Sequence, residues 1–250
     1  MTGTRRAVIH PDLQTLAAGI AARLTITIMD VLASQHTAHV VVTGGKSGTA
    51  GLAALAAQPL LHAVDFSRVH IWWGDERYLP LGHPDRNDTH ARAVMQGVVA
   101  IPPTHIHTMP SSDSGLSLAD AAASYARELA AFSSDASGLP VFDVVLLGIS
   151  TRGHVASLYP DQPEVLVADR SVIAVPWAPE PPTERISLTM PALCSGRRVW
   201  LLASGTERND AVRAAWRGIP DASGCPASVV SGRDATLLLA DAEAGAAAVG

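Results

Sequence analysis

The chain predicts an α/β fold, a mostly parallel sheet flanked by helices, and three observations predict it. Short valine-rich runs, too brief for helices, recur with room for a helix between them. Four of the runs stop at a glycine-bearing turn that carries a cation or a histidine. Turn residues of that kind collect at the carboxyl edge of such a sheet, where its ligands bind.

Composition narrows the classes that remain. With 250 residues, 48% hydrophobic and 16% charged, the chain can bury a full core, and residues 1–250 read as a single domain. A net charge of −5 without a basic stripe argues against nucleic acid or an anionic membrane surface as main partner. No apolar run approaches about 18 residues free of polar breaks, and the opening MTGTRRAVIHPDLQ has no apolar centre for a signal peptide, so a cytoplasmic address is expected. Cys194 and Cys225 stand far apart and read as reduced, structural thiols. Nothing in the sequence signals an oligomeric state. Lys46 is the only lysine among 18 basic residues, the mark of a GC-rich genome, so an arginine in a lysine's place is weak evidence of lost function.

In chain order, Leu13, Leu16, Ile20, Leu24, Ile28, Val31 and Leu32 recur at helical spacing and predict a helix over 12–34 packed on the sheet. A strand over 40–42 leads into Thr43-Gly44-Gly45-Lys46-Ser47-Gly48 and an alanine-rich helix over 49–57. Backbone N–H groups in that turn and the helix N-terminus make a candidate phosphate cradle of Thr43, Gly44, Gly45, Lys46 and Ser47. It has neither P-loop spacing nor G-x-G-x-x-G, which disfavours a nucleotide. The strand over 69–73, VHIWW, ends in Gly74-Asp75-Glu76-Arg77-Tyr78; Asp75 and Arg77 are site candidates, the plainer alternative being charges that pair with one another at the surface. Trp72 and Trp73 read as core. A helix over 86–95 precedes IPPTHIHTM, where His105 and His107 share one face of a strand without a third ligand, so no metal site is expected. A helix over 116–132 and an exposed loop over 133–138 follow. The buried strand over 144–147 ends at Gly148, and a polar turn with Ser150, Thr151, Arg152 and Gly153 places His154 at the head of a short helix over 155–158. After the proline-rich loop 177–185 come a strand over 185–189, a helical turn over 190–194, a strand over 199–203 ending in Gly205-Thr206-Glu207-Arg208, a helix over 209–216 and a last strand over 236–239. The arrangement is Rossmann-like, with a single site at the carboxyl edge of the strands.

The run from Gly148 to Pro160 resembles the signature of the 6-phosphogluconolactonases, G-x-G-x-D-G-H-x-A-S-L-F-P after a strand, at Gly148, Gly153, His154, Ala156, Ser157, Leu158 and Pro160. The segment W-G-D-E-R from Trp73 to Arg77, followed by Arg86-Asn87, is similar to a second block of that family. The loop at 43–47 resembles its S/T-G-G-x-S/T turn, and R-I-S-L-T from Arg185 its R-I-T-L-T strand. Its G-x-x-K turn has Arg208 at the lysine. The likeness covers nearly the whole chain. It implies hydrolysis of 6-phospho-D-glucono-1,5-lactone to 6-phospho-D-gluconate, in the oxidative pentose phosphate pathway, without metal or cofactor. It further implies His154 as general base, Arg77 holding substrate beside Asp75, and a phosphate held by the 43–47 turn and Arg208.

Two positions depart from the pattern. Ser150 stands at the second glycine, and Arg152 stands where a carboxylate would support the histidine. Arg152 disfavours an imidazolium but can bind an anion; either Asp75 or Glu76 replaces the support, or activity is reduced, or the substrate differs. A serine nucleophile is disfavoured, since no G-x-S-x-G elbow appears and Ser157 sits in A-S-L. The related glucosamine-6-phosphate deaminases or isomerases continue F-N-E-P after their histidine, against A-S-L-Y-P here. The other alternative is a sugar-phosphate-binding protein of altered specificity or without chemistry, which Ser150 and Arg152 favour.

Overall fold

The structure, a computed structural model, describes residues 3–95 and 97–248, the side chain of residue 247 excepted. Its elements are β1 (Thr4–His10), α1 (Leu13–Ser34), β2 (Ala38–Val42), α2 (Gly45–Ala53), β3 (Val69–Trp73), β4 (Asp75–Arg77), α3 (Asn87–Met95), β5 (Ile106–His107), α4 (Leu118–Ala131), β6 (Val144–Gly148), β7 (Val172–Val175), β8 (Arg185–Leu188), α5 (Met190–Cys194), β9 (Arg198–Ala203), α6 (Asn209–Arg217), β10 (Ala235–Asp241) and α7 (Ala242–Gly245). Seven of these strands form one sheet in the order β1-β10-β9-β6-β2-β3-β5, every pairing parallel. A second sheet, β4-β8-β7, is antiparallel.

The order explains where a site can form. From β2 the chain builds outward through β3 to β5, then returns to β6 on the other side of β2 and continues to β9 and β10. The reversal opens a crevice beyond the ends of β2 and β6, the place where open parallel sheets bind ligands. The strands β6 and β9 are buried along nearly their whole length, as expected where helices cover both faces.

Helix α1 begins at Asp12, whose carboxylate accepts from Thr15 N–H at 2.7 Å. It is long and apolar enough to cross a bilayer, 22 residues with mean hydropathy 1.7. Leu16, Ile20, Leu24, Ile28 and Val31 are nevertheless buried in the core, which gives that apolarity a packing role. Gly51 of α2 lies so close to Ile20 that an added Cβ would approach it to 2.7 Å.

Three local expectations need correction. Helix α2 starts at Gly45 rather than Thr49, so Gly45, Lys46 and Ser47 form its first turn, and a 3₁₀ turn over Ala54–Ala57 ends it. Asp75–Arg77 is no turn but strand β4, paired with β8 through Asp75↔Ser187 and Arg77↔Arg185. No helix follows His154: Val155 and Leu158 bridge across a tight reversal with Ala156 at φ 48°. Side-chain partners dictate that reversal, because Ser157 N–H donates to Ser187 Oγ at 3.3 Å while Ser157 Oγ donates to Asp75 Oδ2 at 2.7 Å.

Candidate active site

Four adjacent strands, β9, β6, β2 and β3, end side by side, and the segments that follow them converge on one cleft of about 250 Å³. Thr43, Gly44, Gly45, Lys46 and Ser47 line it after β2; Asp75 and Arg77 after β3; Gly148 at the end of β6 with Ser150 and His154 after it; and Arg208 after β9. Asn87, Ala156, Glu180 and Arg185 complete much of the wall. The sequence-predicted residues are therefore brought together, with one exception. Arg152 is exposed and is not among the residues lining the cleft.

Asn87 ties the first two segments together and was not assigned a role in the sequence. Its Oδ1 accepts from an Arg77 guanidinium N–H, and its Nδ2 donates to the Asp75 carbonyl at 3.0 Å. A Cβ at Gly44 would stand 1.9 Å from Asn87 Oδ1, so only glycine lets the turn pass beside this amide. Glu76 does not line the cleft. Its buried carboxylate accepts from the N–H groups of Asn87 at 2.7 Å and Asp88 at 2.8 Å, fixing the start of α3, while Arg86 stands 3.9 Å away. Burial pushes the Glu76 pKa up, and Arg86 and the backbone donors pull against it.

The β6 turn is held by the serine that departs from the family pattern. Ser150 Oγ accepts from Arg152 N–H at 3.2 Å and from His154 N–H at 3.0 Å. Gly153 takes φ 78° with Cys225 packed against it, which completes the bend. The His154 ring lies 4.1 Å from the Tyr159 ring, and its Nδ1 is buried without a hydrogen-bond partner among the described residues. Neither Asp75 nor Glu76 takes over the missing carboxylate support: Asp75 engages Ser157 and Asn87, and Glu76 caps α3. Burial, and after it the guanidinium groups of Arg185, Arg152 and Arg77, lower the His154 pKa to about 3. The ring is thus neutral at pH 7.

On the remaining wall, Arg185 is buried and donates to the carbonyls of Pro182 at 3.0 Å and Glu180 at 3.1 Å. Arg208 donates to the Ser204 carbonyl at 2.8 Å and pairs with Glu207. Ser157 is fully buried, which leaves it no approach to a substrate as nucleophile. His105 and His107 lie away from the cleft, among the residues of β3 and β5, and join His39 and His70 in a stack. No group of three or more His, Cys, Asp or Glu side chains among the described residues is arranged to hold a metal ion.

A histidine, four cations and a helix N-terminus around a small crevice at a switch point define an α/β protein built for a small anionic ligand. Comparison with known proteins makes the class specific. Residues 11–239 match the family of glucosamine-6-phosphate isomerases/6-phosphogluconolactonase, and the chain belongs to that family. It is 44% identical over 248 residues to the 6-phosphogluconolactonase of Streptomyces coelicolor, covering 98% of this chain and 95% of that one. Over 240 residues it is 42% identical to the 6-phosphogluconolactonase of Mycobacterium tuberculosis, covering 95% and 96%. The crystal structure of 6-phosphogluconolactonase from Thermotoga maritima superposes with a TM-score of 0.82 at 24% identity, covering 95% of this chain and 100% of that one, which establishes the shared fold.

Proposed function

We propose that the chain, as a single α/β domain working in the cytoplasm, hydrolyses 6-phospho-D-glucono-1,5-lactone to 6-phospho-D-gluconate in the oxidative pentose phosphate pathway. The observation that carries this reading is the convergence of neutral His154 with Lys46, Arg77, Arg185 and Arg208 on one small cleft, in a chain whose relatives bear that name over nearly their full length. His154 takes a proton from water as its oxygen attacks the lactone carbonyl, and returns it to the ring oxygen when the C–O bond breaks. Arg77, steadied by Asn87, faces the oxygen on which charge develops. The N-terminal turn of α2, Lys46 and Arg208 hold the phosphate. No step requires a metal or cofactor.

The test is the initial rate with freshly generated lactone, spontaneous opening subtracted, for the native chain beside His154→Ala. The expected result is a fast native rate that falls by about 10² to 10⁴ in the variant. The second reading, a sugar-phosphate-binding protein without chemistry, is favoured by one observation, the unsupported Nδ1 of His154 with Arg152 where a carboxylate would stand. A native rate at background, with 6-phosphogluconate still raising the melting temperature, selects that reading and rejects the first.

A further inference from the structure

In the cleft that holds His154, cations outnumber carboxylates. Arg77 and Arg185 line its cleft with Lys46 and Arg208, and Arg152 shares its turn. Arg185 is held in place by the carbonyls of Pro182 and Glu180, so it cannot swing away, and neither Arg185 nor Arg152 has a carboxylate partner among the described residues. Two carboxylates line the cleft against these four cations, Asp75, held by hydrogen bonds from Ser157 and Asn87, and Glu180, exposed on the proline-rich loop, while Glu207 outside the lining pairs with Arg208. Tyr159, packed on the ring, is neutral at pH 7, burial holding its pKa above 10. Around the ring, Nδ1 of His154, Nε of Arg77 and Oη of Tyr159 are buried with no partner among the described residues.

Resting on the lactonase reading above, we propose that the phosphate of the substrate, by neutralising the cations that converge on His154, turns this imidazole into an effective base. The enzyme then selects phosphorylated substrates in the chemical step as well as in binding, and Arg152 and Arg185 are the positioning residues that set the coupling. In the free chain burial, and after it Arg185, Arg152 and Arg77, hold the imidazole pKa at about 3, which suits it poorly to accept a proton at neutral pH, and the arginines' share is the part a dianion can offset. The phosphate, held by Lys46, Arg208 and the first turn of α2 in the same small cleft, brings a dianion into the ring's surroundings that favours its charged form and offsets the arginines, so the base strengthens only when the phosphate is present.

The coupling is read directly from the ring. In the native chain, the His154 ring resonance, assigned by its loss in His154→Gln, is followed by NMR as pH falls, with and without saturating 6-phosphogluconate, and with sulfate as a simpler dianion. The free ring is expected to stay neutral down to about pH 4.5, and the bound ring to titrate about one unit or more higher than the free one. Arg152→Gln is expected to raise the free midpoint and narrow the gap between free and bound, a change that a merely structural arginine would not produce. The kinetic arm uses gluconolactone lacking the phosphate, whose turnover number is expected to rise about tenfold or more when sulfate is added. Coincident curves with and without dianion, or no dianion binding at all, overturn the proposal. The NMR arm needs no turnover, so a moving midpoint in a chain that hydrolyses nothing rejects the lactonase reading alone. An unmoved midpoint in an active enzyme rejects the coupling alone.

Discussion

Asn87 decides where Arg77 points. The amide holds the guanidinium on one side and the Asp75 carbonyl on the other, while Gly44 passes against it with no room for a Cβ. A hydrogen bond to a charged group contributes about 1.5 to 3 kcal/mol, so Asn87→Ala is expected to lower kcat/KM by roughly tenfold to a hundredfold by releasing Arg77. Far-ultraviolet circular dichroism should be unchanged, because α3 keeps its Glu76 cap. A variant with native kcat/KM would show that Arg77 needs no such hold. Residue roles of this kind were half legible in the sequence. His154, Arg77, Asp75 and the 43–47 turn announce themselves by type and spacing after strands, and the cleft contains them. Asn87 and Arg185 stand in segments that resemble family blocks, yet neither was given a role, because one acts through contacts made across the fold and the other by lying on the strand of a second sheet. The work of Ser150 was hidden by its reading as a departure, although a serine hydroxyl can staple the turn that a glycine would merely permit.

At the scale of elements, the parallel register builds something that no single segment shows. His39 pairs with His70 across β2 and β3, and Trp72 with His107 across β3 and β5, so histidines scattered through the chain become neighbours. His39 and His70 stack with ring centroids 4.7 Å apart, and His70 and His105 at 3.9 Å. His70 Nδ1 lies 2.9 Å from His107 Nε2, and His107 Nδ1 lies 2.7 Å from Glu128 of α4. One carboxylate can balance one added charge, not several. Burial, followed by the neighbouring histidines, lowers the pKa of His39 to about 4 and of His70 to about 3. The unfolded chain therefore binds more protons than the native one below about pH 6.5, and the stability these rings contribute is complete above that pH and is lost as pH falls toward their folded values. Each ring is expected to cost about 1 to 2 kcal/mol between pH 6.5 and pH 5. Urea midpoints at pH 7 and pH 5 check this: the drop should be smaller in His70→Gln than in the native chain, and an equal drop in both would assign the loss to other groups. Strand and helix identity was legible where pattern and packing agree, as in α1, β3, β6 and β9. It was not legible in β1, an edge strand with exposed Arg5 and Arg6, in four-residue β7, or in β4, whose Asp-Glu-Arg composition reads as a turn until β8 pairs with it.

For the molecule as a whole, charge and site have opposite signs. The chain carries a net −5, yet the cleft gathers Lys46, Arg77, Arg185 and Arg208 against Asp75 and Glu180. A dianionic substrate far away meets the weak field of the whole surface, whereas within a Debye length of about 8 to 10 Å it meets the cations of the cleft. The near field wins in binding, because its charges act at contact distance in a partly desolvated crevice while the surface charges are spread and screened. Added sodium chloride should then weaken the attraction that matters, so KM for the phosphorylated lactone is expected to rise several-fold between roughly 0.05 M and 0.5 M salt, with kcat changing far less. Sulfate at matched ionic strength should raise KM further than chloride, since it competes for the same N–H groups and guanidinium forks. Arg208→Ala should flatten the salt dependence by removing one cation, whereas Arg217→Ala, remote from the cleft, should leave its slope intact. A KM that falls as salt is added would mean that the negative surface, screened first, governs capture, and that the cleft's cations serve orientation rather than affinity.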